Sequence, residues 1–168
     1  PPPRTLAPLP PLVARGSSGE LKLKPLAALA TQAQAPGRLA EWNSQALANL
    51  ACADRPTRLA LVEAGGVTRV CRAMAAHPEV VGVQQEGCAA IANLSWGEMQ
   101  KRDVIAAGGA ERIFAAMKGH EGCAALQEWG CKALHNLGCN NEGVRDQLLK
   151  DGAVGVLCRG MAAHPLAP

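Results

Sequence analysis

Tyrosine is absent from these 168 residues and phenylalanine occurs once. Aromatics total 2%, so the aromatic and β-branched runs that mark strands are missing. Charge is sparse too, at 18% of residues with a net of +3. That balance is too mild for a nucleic-acid or acidic-membrane footprint. No apolar run approaches the roughly 18 residues of a membrane span. The seven cysteines include no CxxC pair and are odd in number. They read as small buried hydrophobes in a reducing compartment.

What is present is alanine, leucine and valine within a 48% hydrophobic content, a composition suited to closely packed helices. It is also periodic. QQEGCAAIANLS (Gln84 to Ser95) recurs as QEWGCKALHNLG (Gln127 to Gly138) and, more weakly, as AEWNSQALANLA (Ala40 to Ala51). Asn49, Asn93 and Asn136 lie 44 and 43 residues apart. Three other residue types keep the same beat: Gly65, Gly108 and Gly152; Met74, Met117 and Met161; His77, His120 and His164. A shared period across four residue types marks a repeat array.

The chain accordingly divides into a Pro-rich disordered lead (1–19), a partial unit (20–52), two complete units (53–95 and 96–138) and a shortened fourth (139–168). Pro1, Pro2, Pro3, Pro8, Pro10 and Pro11 exclude a helix in the lead. Its other readings are a transit segment or a ligand for Pro-rich-binding domains. Leu23, Leu26 and Leu29 have helical spacing, and a second helix is expected from about Arg38 to Cys52.

The first complete unit reads as a short helix (Pro56 to Glu63), a break at Ala64-Gly65-Gly66, a middle helix (Val67 to Ala76) and a long helix (Glu79 to Leu94). Val67, Val70, Cys71 and Met74 form the middle helix's apolar stripe. Val83, Gly87, Ala90, Ile91 and Leu94 form the long helix's buried face. The next unit repeats the plan over Glu98 to Ala106, Ala110 to Lys118 and Gly122 to Leu137. The last begins at Asn140, breaks at Gly152 and stops after His164-Pro165. The array is expected to be incomplete at both ends, where capping units belong.

Three helices per unit, the glycine breaks VEAGGV and IAAGGA, and the ANL, ANL and HNL endings resemble the armadillo repeat. The style is most similar to the armadillo segments of leucine-rich-repeat kinases and protist armadillo proteins. The resemblance covers about Leu23 to His164. It implies an all-α fold, a right-handed solenoid of three to four repeats whose third helices line a concave groove. It also implies that Asn49, Asn93 and Asn136 bind the backbone of an extended peptide. The chemistry is compatible, because an Asn amide offers a donor and an acceptor. Helices pack roughly 8–10 Å apart, a span of two or three extended residues at about 3.3 Å each.

The expected groove inventory is Trp42, Gln45, Asn49, Glu86, Asn93, Trp129, Lys132 and Asn136. Receptors of the importin-α type carry a tryptophan four residues before the Asn. Here Gln45, Ala89 and Lys132 stand there, which argues against nuclear-signal recognition. Trp42 and Trp129 fall seven before their Asn, on the same stripe, with Glu86 between them. Each is either a binding anchor or a packing residue. The asparagines have a structural reading as well, in which each bonds its own scaffold.

No catalytic residue, cofactor or metal is expected. The histidine ladder suits helix-end capping, since rungs a helix diameter apart cannot share a metal with ligand bonds of about 2 Å. Cys131 and His135 at i and i+4 meet the minimal geometry for an activated thiol, a weak signal. The glycine pairs lack phosphate-loop spacing. The expectation is a non-enzymatic interaction module of a signalling or scaffold protein. It would take a protein or extended-peptide partner and no nucleic acid or membrane. It would be monomeric when further repeats cap it, and cytoplasmic, with the nucleus also open. The competing expectation is a structural spacer with an idle groove.

Overall fold

The structure, a computed structural model, describes residues 13–15, 21–23, 36–52 and 54–164, with side chains from residue 44 onward. Two compact units divide after Gln34. In the first, β1 (Val13–Arg15) pairs antiparallel with β2 (Leu21–Leu23). This short pairing departs from the expected lead, and Leu23 stands on a strand rather than a helix. Val13 and the alternating Leu21-Lys22-Leu23 flank Gly16-Ser17-Ser18-Gly19, which is a turn composition. Leu26 and Leu29 lie outside the described residues.

The described part of the second unit is helical: α1 (Pro36–Ala51), α2 (Arg55–Glu63), α3 (Gly66–Ala76), α4 (Val81–Leu94), α5 (Glu98–Ala106), α6 (Gly109–Gly119), α7 (Ala124–Gly138), α8 (Glu142–Lys150) and α9 (Ala153–Ala163). Local chemistry sets most boundaries. Asp54 caps α2 by accepting from Thr57 N at 3.0 Å, and Pro56 sits in the first turn, where its missing N–H is harmless. Between short and middle helices the chain turns through Gly65, Gly108 and Gly152 at φ of 73°, 76° and 92°, the left-handed region that glycine enters without penalty. The second glycine has a different task. A Cβ on Gly66 would lie 2.7 Å from Leu61 O, and one on Gly109 2.5 Å from Val104 Cγ1.

The long helices start two residues later than the periodicity suggests. Val80 N bonds His77 O and Cys123 N bonds His120 O, at 3.2 and 3.0 Å. These tight turns hold Glu79 and Gly122 outside α4 and α7.

The long helices α1, α4 and α7 pack against one another in chain order, as do the middle helices α3, α6 and α9. Within each unit the middle helix packs on the long one, α3 on α4 and α6 on α7. The core runs through both stripes read from the sequence: Val67, Val70, Cys71 and Met74, then Val83, Ala90, Ile91 and Leu94, all buried. Gly87 and Gly130 admit the preceding middle helix. Their missing Cβ positions lie 2.6 Å from Met74 Cγ and Met117 Sδ. The close approach at these glycines is made by a methionine side chain.

Candidate functional site

The asparagine row lies along the packed long helices. Asn93 Nδ2 donates to Ala48 O at 3.4 Å and to Cys52 Sγ at 2.9 Å, both on or just past α1. Asn136 Nδ2 donates to Ala92 O of α4 at 2.8 Å. Ala48 and Ala92 each precede an asparagine, so the two bonds are equivalent. They tie one long helix to a carbonyl near the end of the one before it, where Ala48 O also accepts from Cys52 N at 3.1 Å. The structural role weighed for these residues is therefore present in the geometry. Asn93 uses both N–H groups in this way, leaving only Oδ1 for anything else. Asn136 keeps one N–H as well, among the described residues. A two-handed backbone clamp thus fits Asn136 and not Asn93.

Around that row the predicted residues differ in access. Gln45, Asn49 and Lys132 are exposed, and Glu86, Asn93, Trp129 and Asn136 are half-buried. Lys132 Nζ lies 4.5 Å from the Trp129 ring centroid, a cation–π contact one helical turn long. Gln85 Nε2 donates to Glu86 Oε1 at 3.5 Å. Ala89, which stands four residues before Asn93, is buried at 4% exposure. Trp42 belongs to α1, but its side chain lies outside the described residues. The structure thus brings Trp129, Lys132 and Asn136 to one face of α7.

The histidines end the middle helices, as expected: His77, His120 and His164 are the residues at which α3, α6 and α9 stop. Two rings do something further. His120 Nε2 lies 2.8 Å from Pro78 O, and His164 Nε2 lies 2.8 Å from Glu121 O. Each reaches the residue after the preceding histidine, so the ladder staples neighbouring units. No group of three metal-ligating side chains occurs among the described residues.

No hydrogen bond joins Cys131 and His135 among the described residues. Burial pushes the Cys131 thiol up, the wrong direction for an activated nucleophile. Burial likewise raises Cys71 to about 11 and Cys88 to about 12. An open cleft of about 500 Å³ between the α2–α3 and α5–α6 corners is lined by Val62, Glu63, Thr68, Asp103 and Ala106, among others. It shares no residue with the asparagine row.

Three groups of polar contacts escaped the sequence reading. Gln84 Nε2 donates to Met74 O and His77 O at 2.9 and 2.8 Å, and Gln127 Nε2 to Met117 O and His120 O at 2.8 and 3.2 Å. Buried Lys101 bonds Glu98 Oε1 at 3.1 Å and reaches Cys139 O, while Asn141 Nδ2 donates to Glu98 Oε2. Arg55 and Arg58 stack on Trp96 with centroid distances of 4.9 and 5.4 Å. The signal for the glutamines was available, since Gln84 and Gln127 hold equivalent places in the recurring motif. Arg58 and Lys101 are also 43 apart. Each reaches toward the residue two past the long helix's Leu, Trp96 or Cys139.

No family model, no curated protein and no solved structure matches this chain. Among the described residues, no helix is long and apolar enough to cross a membrane.

Proposed function

We propose that this chain is an armadillo-type interaction module: a right-handed superhelix that holds an extended segment of a protein partner along its long helices. The observation that carries this reading is the face of α7. There an exposed Lys132 lies over a half-buried Trp129, two turns from an Asn136 that retains a donor and an acceptor. An aromatic ring capped by a cation, beside a part-free amide, has the chemistry to anchor a side chain and grip the adjoining backbone. Glu86 and Asn93 extend the row on α4, and Gln45 and Asn49 extend it on α1. The mixture of charges selects no single sign of partner. In this reading the protein is non-enzymatic, uses no cofactor, and works in a cytoplasmic signalling or scaffold assembly.

The spacer reading has its own support, because both bonded asparagines donate to the neighbouring helix. The two readings separate by substituting Trp129 and Lys132, whose ring–cation contact lies within α7. A displayed library of extended peptides is selected on the intact chain, and the enriched peptides are measured against Trp129→Ala and Lys132→Ala. Peptide binding predicts enrichment and roughly tenfold weaker affinity in Trp129→Ala, with an unchanged melting temperature in Lys132→Ala. A library that yields no enriched sequence favours the spacer.

A further inference from the structure

Where a short helix faces the corner after the next long helix, the chain uses one design twice with the charges changed. One copy is Glu98 and Lys101 on α5, Cys139 in the corner after α7 and Asn141 before α8. There the Glu98 carboxylate accepts from Lys101 Nζ at 3.1 Å and from Asn141 Nδ2. Lys101 also reaches Cys139 O. Anion and cation are both supplied by the chain. In the other copy, 43 residues earlier, Arg55 stands for Glu98, Arg58 for Lys101 and Trp96 for Cys139. Asn141, the residue before α8, is matched by Gly97 before α5, which has no side chain to offer. The carboxylate is gone, and a second cation holds its position.

Both arginines lie on the Trp96 ring, with Cζ atoms 4.9 and 5.4 Å from its centroid. Stacking uses the flat face of a guanidinium. Its N–H donors lie in the plane and stay open to an acceptor. Neither arginine has a hydrogen bond or ion pair among the described residues. Arg58 Nε and Trp96 Nε1 are buried without a partner. Asp54 does not fill the role. Its Oδ1 accepts from Thr57 N, and its carboxyl is held below the usual range chiefly by Thr57 and least by Arg58. Arg55 is exposed and Arg58 half-buried, so a ligand reaches the pair from solvent. The corner at Trp96 lies between α4 and α5, with described helices before and after it.

We propose that Arg55, Arg58 and Trp96 form a binding site for a phosphate monoester group. Charge decides the class. Two guanidiniums without a carboxylate call for about two negative charges, and a phosphate monoester carries about −1.5 to −2 at neutral pH with three strong acceptor oxygens. A carboxylate brings one charge and suits the single cation beside Glu98. The planar donor forks of arginine match phosphate oxygens two at a time, and the indole holds both forks in place. The phosphate belongs to a phosphorylated side chain of a protein partner or to a free small ion. The site shares no residue with the asparagine row, so it is a second recognition point on the same chain.

The test is calorimetric titration of the intact chain with inorganic phosphate and with three end-capped, glycine-rich peptides. These differ only in a central phosphoserine, serine or glutamate. The phosphoserine peptide should bind saturably, and the serine and glutamate peptides roughly tenfold or more weakly. Arg55→Glu restores the charge pattern of Glu98 and Lys101. It should abolish phosphoserine binding without lowering the melting temperature. Arg58→Lys keeps the charge but loses the fork, and should weaken binding. Trp129→Ala should leave it intact, which separates this site from peptide capture along the long helices. Inorganic phosphate that binds as tightly as the peptide identifies a free-ion site, and much weaker phosphate identifies a phosphorylated side chain; both support the proposal. No binding, binding unchanged in Arg55→Glu, or equal binding of the glutamate peptide would overturn it. So would tighter binding of a single-stranded oligonucleotide, which points to nucleic acid. Binding gained only with Glu20→Gln and Glu41→Gln would also overturn it, because a carboxylate of this chain then fills the pair.

Discussion

Glycine in a helix interior is ordinarily a weakness of about 1 kcal/mol relative to alanine. At Gly130 the sign reverses, because the missing Cβ is where Met117 Sδ and Cγ lie, 2.6 and 2.7 Å away. Gly130→Ala should therefore lower stability, by roughly 1–3 kcal/mol for an overpacked core. Gly155→Ala, on an exposed stretch of α9 with only Arg159 Nη1 at 3.9 Å, should raise it. Chemical denaturation of both variants tests the pair. Combining Gly130→Ala with Met117→Ala should cost less than the sum of the single changes, since the new methyl enters the space the methionine vacates. Additive losses would remove the Met–Gly contact as the explanation.

At the scale of elements, the middle and long helices are joined by polar groups as well as by packing. Gln84 bonds two carbonyls at the end of α3; His77 O also accepts from Val80 N, whereas Met74 O faces Pro78, which has no N–H to offer it. Gln84→Leu should destabilise the fold by roughly 1–3 kcal/mol. Gln127→Leu removes the same kind of bonds from α6 but should be milder. Gln127 Oε1 is itself buried without a partner, pressed against Gly160, whose missing Cβ lies 2.8 Å from it. Losing that orphan oxygen offsets part of the loss. Parallel urea titrations decide the order, and an equal or larger loss in Gln127→Leu would contradict the assignment.

Across the helical unit, Glu98 joins α5 to the corner before α8. The hydrogen bond from Lys101 is the main reason its carboxyl is held below the usual range, with Asn141 adding to it. A depressed carboxylate contributes stability that is present above its unfolded pKa of about 4.3. That contribution is lost as pH falls through the lower folded value. Glu98→Gln should therefore flatten the acid limb of the melting curve below about pH 5 while changing the neutral limb by a constant amount. Asp54, lowered chiefly by its hydrogen bond with Thr57, retains its own acid dependence in that variant. An acid limb of unchanged slope would show that the link between Glu98 and Lys101 carries no pH-dependent stability.

The sequence by itself determined the period, the helical content, the glycine breaks and the two apolar stripes. These are local or periodic properties: left-handed turns need glycine, and buried faces repeat every 3.6 residues. It also marked Asn93, Asn136 and the histidines as special, because they recur. Only the tertiary structure decided what they touch. The bonds from Asn93 to Ala48, from Asn136 to Ala92 and from His120 to Pro78 span 42 to 45 residues. A side chain's partner across such a distance depends on how helices from neighbouring units are set against each other. Residue spacing can show that a position matters, but the direction in which its hydrogen bond is spent follows from packing alone.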